Sequence, residues 1–408
     1  MSKEYVKTEK LYDIDAYATK FEATILQVEP AKAGLCLILD RTLFFPEEGG
    51  QNCDKGTLTI AGQTYAVTYV GLEKREGTEV ICHYVDSGEN GAVSDGVGDE
   101  ADALTLGKGA KVQGEIDWYD RYDKMQNHSG EHILSGIVHN EFGFDNVGFH
   151  LNDELFTMDF NGVITAEQLE LLETKANEII MENVPIYGEY LPDEELAVLE
   201  YRSKKEIEGA VRIVTVEGYD KCACCAPHVK SSIEIGVIKI VKAENWKGGI
   251  RLTVLCGNRA YKDYAKKHRI LQDLSRNFST SEDKVTEVIE GLKNNLSDLE
   301  FKMAALECRM VTEKLLQNPI QFFETLSSKA LTKAMDEVMK QKPAEMFMVF
   351  VGSDENGYRY MIGSMEQNVE AVGTKMREKL GAKGGGRGTM IQGMVSAVKV
   401  KIEEMFNE

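Results

Sequence analysis

Two short stretches, far apart in the chain, constrain what it can fold into more than any other feature. The first reads Met125-Gln126-Asn127-His128-Ser129-Gly130-Glu131-His132-Ile133-Leu134, and the second Cys222-Ala223-Cys224-Cys225-Ala226-Pro227-His228. In the first, two histidines lie four positions apart, and Ile133, Leu134, Ile137 and Val138 continue a helical apolar pattern. The spacing predicts both imidazoles on one helix face, about one turn apart. In the second, thiols and an imidazole share a segment whose Pro227 resists regular structure. Together the stretches offer the nitrogen and sulfur donors that tetrahedral zinc prefers. Ordinary half-buried helices also carry such His pairs, and clustered cysteines also serve as core or redox groups. Three of the seven histidines and three of the eight cysteines fall in these two windows, however. That concentration favours a shared metal.

The surrounding sequence reads as an α+β chain in four parts: 1–95, 96–262, 263–318 and 319–408. In 1–95, strand-like runs at Phe21–Val28, Leu35–Leu39, Thr57–Ile60, Thr64–Val70 and Val80–Val85 are separated by glycine turns, the pattern of a small β-barrel. The glycines at 49 and 50 suit either a tight hairpin or a close approach of backbone to a ligand. Residues 88–110, rich in Gly, Asp and Ser, read as an exposed loop. In 96–262, Val112–Trp118 reads as a strand entering the histidine helix, and Asn146–Phe160 as loop then strand. Thr165 to Asn183 reads as a helix with a Thr165/Gln168 capping box. Val211–Val216, Ile233–Val241 and Ile250–Leu255 read as strands, completing an α+β core.

From 263 to 318 the chain reads as helical. Val285, Ile289, Leu292, Leu296, Leu299, Met303, Leu306 and Met310 recur at spacings of four and three, a heptad seam, with a capping box expected at Ser279/Glu282. The seam fits a coiled-coil-like hairpin, a homodimer formed through 285–310 and the C-terminal domain, or a core helix. Residues 319–408 read as a separate α/β domain: a helix near Phe322–Lys340, strands at Met346–Gly352 and Tyr358–Gly363, another helix, and Gly384–Gly388. The glycines flanking Arg387 suit an anion-binding nest or a plain loop.

A net charge of −20 argues against a nucleic-acid partner when taken alone. Lys375, Arg377, Lys379, Lys383 and Arg387 form a local basic patch on which an RNA end fits. The N-terminal residues hold no apolar signal segment, no run approaches membrane-spanning length, and the cysteines lack disulfide-framework spacing. A cytoplasmic protein with reduced thiols is expected.

In this order the pieces resemble the alanyl-tRNA editing family, free-standing relatives of the alanyl-tRNA synthetase editing domain, in the long form. Arg41-Thr42-Leu43-Phe44-Phe45-Pro46-Glu47-Glu48-Gly49-Gly50-Gln51 resembles the family's N-terminal signature. Met125–His132 resembles its His-x-x-x-His motif, and Cys224–Val229 its Cys-x-x-x-His-Val. Glu234-Ile235-Gly236 and Gly249-Ile250-Arg251 continue the match, and Gly384–Gly388 resembles the glycine-rich turn of the family's C-terminal domain. The chain departs at Glu48 and Cys225, where glycine is usual, at Glu131, where a neutral residue is common, and at the additional thiol Cys222.

The resemblance implies a trans-acting deacylase, not a synthetase, because no activating region precedes the module. It implies hydrolysis of seryl- and possibly glycyl-tRNA of alanine identity, with His128, His132, Cys224 and His228 holding Zn2+. Cys222 and Cys225 remain alternative sulfur ligands. It further implies that Thr42 reads the serine hydroxyl and that Gln51 lines the pocket. Glu131 is the nearest candidate base, its alternative being a solvent-facing helix residue. Such an enzyme answers a physical need, since a pocket built for alanine rejects an added hydroxyl by only about 10²-fold and must be supplemented by a second, hydrolytic site. Two other readings compete. His128-Ser129-Gly130-Glu131-His132 fits the His-x-x-Glu-His pattern of zinc metallopeptidases, and a non-catalytic tRNA-binding module with structural zinc fits the same donors.

Overall fold

The computed structural model describes residues 5–32, 34–86, 107–203 and 210–407. It divides the chain into two compact units, Met1–Arg269 and Ile270–Glu408. The loop expected at 88–110 lies, as far as residue 106, outside the described residues.

In the first unit six strands close into a barrel. The order is Lys20–Pro30, Leu35–Leu39, Thr78–Val85, Gln63–Arg75, Gly56–Ile60 and Lys111–Ile116, the last pairing back onto the first. Every pairing is antiparallel. Alternation drives this: Phe21, Ala23 and Ile25 point inward while Glu22 and Lys20 face water, as a one-sided sheet requires. Register shifts at Ile25/Gln27 and Val67/Tyr69 supply the local bends that closure needs. Because Lys111–Ile116 completes the ring, the barrel draws on sequence on both sides of residue 95. Its interior is filled by Phe44, Phe45, Leu37, Leu58, Ile81 and neighbours.

The chain passes from that closing strand into the helix Trp118–Ile137, capped by Asp117, whose side chain accepts from the backbone of Tyr119 and Asp120. This histidine helix packs against a four-stranded sheet ordered Ile238–Trp246, Gly249–Cys256, Phe156–Phe160 and Asn146–Leu151. It also packs against the helix Ala166–Glu182, which carries both halves of the Thr165/Gln168 capping box. A three-stranded sheet, Ile186–Tyr190, Arg212–Val216 and Asp220–Ala223, runs directly into the cysteine segment. Two local expectations differ. Asn146–Phe160 is a strand pair, not loop then strand. Ser232–Ile235 is a 3-10 turn, so the strand begins at Ile238.

The second unit holds the long helix Val285–Gln317 and a five-stranded sheet. The sheet order is Ile320–Phe323, Phe347–Ser353, Gly357–Gly363, Met390–Val395 and Lys383–Gly385, and only the first pair is parallel. Residues 320–323 are thus an edge strand, and the helix expected from Phe322 begins at Ser328 with Ser327 as its cap. The capping box expected at Ser279/Glu282 does not form: Ser279 has φ 50°, and a short 3-10 turn Glu282–Lys284 leads into the long helix. Along that helix Leu292, Leu296, Leu299, Met303 and Leu306 are exposed. Only its ends are buried, at Val285 and again at Cys308, Val311, Thr312 and Leu315. The seam is therefore not core within the chain among the described residues.

Candidate metal centre

One helical turn separates His128 from His132, and their rings stack with centroids 5.6 Å apart. His228 meets both edge-on, at 4.8 and 4.7 Å. Cys224 Sγ lies 3.5 Å from Nε2 of His128 and 3.5 Å from Nε2 of His228. The four donor atoms all fall within 4.8 Å of one another.

Each imidazole is held by its other nitrogen. His128 Nδ1 meets Gln51 Oε1 at 2.7 Å, His132 Nδ1 meets Asp220 Oδ2 at 2.9 Å, and His228 Nδ1 meets Ser129 Oγ at 3.2 Å. Oriented in this way the rings present Nε2 to the centre, the arrangement that outer hydrogen bonds impose on metal-binding histidines. His132 Nε2 is buried without a hydrogen-bond partner, a costly state for a polar atom unless something else satisfies it. The donor set, one sulfur and three nitrogens, suits zinc. The residues present therefore fit such an ion.

Protonation separates the three neighbouring thiols. Burial opposes ionisation of Cys224, but the charge of His128 and hydrogen bonds from His128 and His228 hold its thiol well below the ordinary range. Burial pushes Cys222 up to about 12, and its thiol donates to the Ala223 carbonyl. Burial and the neighbouring charges of Cys224 and Glu48 raise Cys225. Cys224 is the thiol that faces all three imidazoles, while His132, Asp220 and Cys222 form a second group of neighbouring donors.

Asp220 is gripped bidentately by Arg202, each bond 2.7 Å. Burial resists its ionisation, yet His132 and Arg202 outweigh that and keep its carboxyl below the usual range. Glu131 is not a solvent-facing residue: it is fully buried. Its Oε1 accepts from Ser135 Oγ and Asn146 Nδ2, both at 2.6 Å, and its Oε2 lies 3.9 Å from His132 Nε2. Sequence patterning does not single out Asp220 or Asn146, which reach the helix only on the strands Asp220–Ala223 and Asn146–Leu151, nor Arg202 and Ser129, whose partners are distant in sequence.

Gln51 ends a two-residue hairpin turn. Glu48 and Gln51 exchange both backbone hydrogen bonds, and Gly49 and Gly50 have φ of 63° and 87°, the mirror-image turn that favours glycine. At Gly50 a Cβ would sit 2.3 Å from the Phe149 carbonyl oxygen, so no larger residue fits. The Phe149 ring in turn covers His128, with centroids 4.6 Å apart.

Thr42 lies elsewhere in its bonding. It is buried in the barrel, with Oγ1 2.8 Å from His83 Nε2 and accepting from the Phe44 amide at 3.0 Å. Burial depresses His83 to about 4, and its Nδ1 meets the Leu37 carbonyl at 3.1 Å. The ring is therefore neutral, with Nδ1 donating to Leu37 and Nε2 accepting the threonine proton. One oxygen lone pair of Thr42 remains for anything else.

Residues 211–252, which include Cys224 and His228, match the second additional domain of threonyl and alanyl tRNA synthetases. The alanyl-tRNA editing protein Aarsd1 of Danio rerio is 25% identical over 97% of this chain and 96% of its own length. The alanyl-tRNA editing protein AlaX-L of Pyrococcus horikoshii is 28% identical over 98% and 96%. The alanine–tRNA ligase of Pyrococcus abyssi is 28% identical over 97% of this chain, which spans 43% of the ligase.

Proposed function

We propose, from the premise that alanyl-tRNA editing proteins are this chain's homologues over nearly its whole length, that it is a deacylase. It hydrolyses mischarged seryl- and glycyl-tRNA of alanine identity at a zinc site. The observation that carries this reading is the converging donor set of His128, His132, Cys224 and His228, each imidazole tied at Nδ1 and turned inward at Nε2.

In the reaction, water attacks the ester carbonyl carbon, the bond to the ribose oxygen breaks, and the proton lost by water ends on that oxygen. His128, His132, Cys224 and His228 would hold zinc, which when bound would supply Lewis-acid polarisation of an oxygen. Glu131, buried beside His132, takes the proton from attacking water. Asp220 holds His132 in the tautomer the site needs. Gln51 orients His128, and Thr42 contributes its remaining lone pair to a substrate hydroxyl. Parts 1–95 and 96–262 carry this chemistry. In the C-terminal part Arg377, Lys379, Lys383 and Arg387 are exposed and offer phosphate contacts to tRNA. Two copies pair through the exposed seam of Val285–Gln317. No helix among the described residues is long and apolar enough to cross a membrane, in keeping with a cytoplasmic site of action.

Four protein ligands also match a closed structural zinc site, which would make the chain a tRNA-binding module without turnover. Deacylation of seryl-, glycyl- and alanyl-esters on one alanine-accepting transcript separates the readings. Wild type is expected to release serine or glycine and spare alanine, with His132→Ala inactive and depleted in zinc. Binding without hydrolysis of any ester would refute the deacylase.

A further inference from the structure

The metal cluster does not account for the other side of the Glu48–Gln51 hairpin. Residues paired directly across a two-residue turn project their side chains to the same face, so Glu48 and Gln51 stand side by side. Gln51 Oε1 is spent on His128, which fixes the amide so that Nε2 is the outward donor, and that nitrogen is buried with no partner. Glu48 Oε2 is likewise buried with no partner, as is the hydroxyl of Tyr12 close by. Cys225, adjacent in sequence to Cys224, lies near enough to the Glu48 carboxylate to feel its charge. The turn tip is held nearby, since a Cβ at Gly49 would lie 3.5 Å from Cys225 Sγ. A buried acceptor and a buried donor without partners, on one face beside the cluster, are costly unless a ligand satisfies both.

We propose that Glu48 is the subsite for the α-ammonium group of the aminoacyl ester, with Gln51 Nε2 donating to the ester carbonyl oxygen from the same face. This rests on the deacylase reading and names the part of the substrate that Glu48 takes. A carboxylate on the hairpin attracts an ammonium group, and its effect is confined to substrates with a free amine. Peptidyl or N-blocked esters lack the cation and gain nothing from Glu48.

The test uses the full-length zinc-loaded protein and an alanine-accepting tRNA bearing serine through a non-hydrolysable 3′-amide, with the amine either free or acetylated. Equilibrium binding of the two forms is compared for wild type, Glu48→Gln and Glu48→Asp, with melting temperature and zinc content recorded. Wild type is expected to prefer the free amine by roughly tenfold or more, as for a hydrogen bond to a charged group. Glu48→Gln should bring the ratio close to one, and Glu48→Asp should restore part of it. Equal binding of both forms by wild type overturns the proposal without any variant, and so does an unchanged ratio in a folded Glu48→Gln. Parallel hydrolysis of the two esters keeps the readings apart. Preference without hydrolysis refutes the deacylase, and hydrolysis without preference refutes the subsite.

Discussion

The histidine helix and the heptad helix invert the usual rule in opposite directions. Trp118–Ile137 buries Arg121, Lys124, Asn127, His128, Ser129, Glu131, His132 and Ser135. Val285–Gln317 leaves Leu296, Leu299 and Leu306 about three-fifths exposed, at 59%, 63% and 62%. The inward polar groups are tolerated because neighbouring elements supply bonds: Arg121 reaches Asp54, Ala16 and Leu43, and Lys124 reaches Asp120 and Cys53. The outward leucines carry no polar group that a neighbour in the same chain must satisfy. Hydropathy alone would have placed each helix where the other's surroundings are. What decides is which groups the neighbours can satisfy.

The strongest way to break this comparison is at Arg121. Its Nε lies 3.1 Å from both Asp54 oxygens, and both side chains are fully buried. Arg121→Ala strands the carboxylate and is expected to cost about 3–5 kcal/mol, read as a lowered denaturation midpoint. A loss under 1 kcal/mol would mean the buried charges are not held by each other.

Acid supplies the next test. Folded His83 gains its proton only near pH 4, whereas in the unfolded chain it does so near 6.5. Stability from its neutral form is intact above 6.5 and is lost as pH falls toward 4, by about 3 kcal/mol in all. His83→Gln should flatten the pH dependence of unfolding across that window. An unaltered slope would show that His83 is not the group responsible.

Asp220→Asn keeps the shape of the side chain and removes the charge that orients His132. Zinc affinity, measured by chelator competition, is expected to fall 10–100-fold. The smallest effect belongs to the heptad helix. Leu299→Gln should change the stability of dilute protein by no more than about 0.5 kcal/mol, while lowering the sedimentation coefficient if two copies pair there. Unfolding of the dilute variant would place Leu299 against its own chain and end the contrast between the helices.

These residues also show what the sequence could disclose. His128 and His132 were readable because four-residue spacing on a helix fixes their mutual position, and Cys224 and His228 because they share one short segment. The strands of the barrel were readable from alternation at Phe21, Ala23 and Ile25. The barrel's last strand was harder to assign, because Lys111–Ile116 sits beyond a long connection and its partners are Lys20–Thr24 and Gly56–Ile60. Asp220 and Arg202 were invisible, because a carboxylate becomes a support for histidine only once a hairpin places it there. Ser279 misled, since a hydroxyl three residues before a glutamate caps nothing when its own φ is positive. Leu292 to Leu306 fixed the period of a helix but not what covers it.

The split of the donor set has a consequence for how the site is assembled as the chain is made. Cys224 follows His128 by 96 positions. At about 5–20 residues per second, the two helical imidazoles leave the ribosome roughly 5–20 s before the thiol and third imidazole exist. During that interval the barrel strands are complete and the histidine helix has only two donors to offer, a pair any divalent ion of modest affinity can visit and leave. For an ion held by all four donors, selection would be deferred until His228 has been synthesised, when the late segment brings a thiolate that hard cations bind poorly. On the zinc reading, the order of translation would itself serve as a filter on the ion.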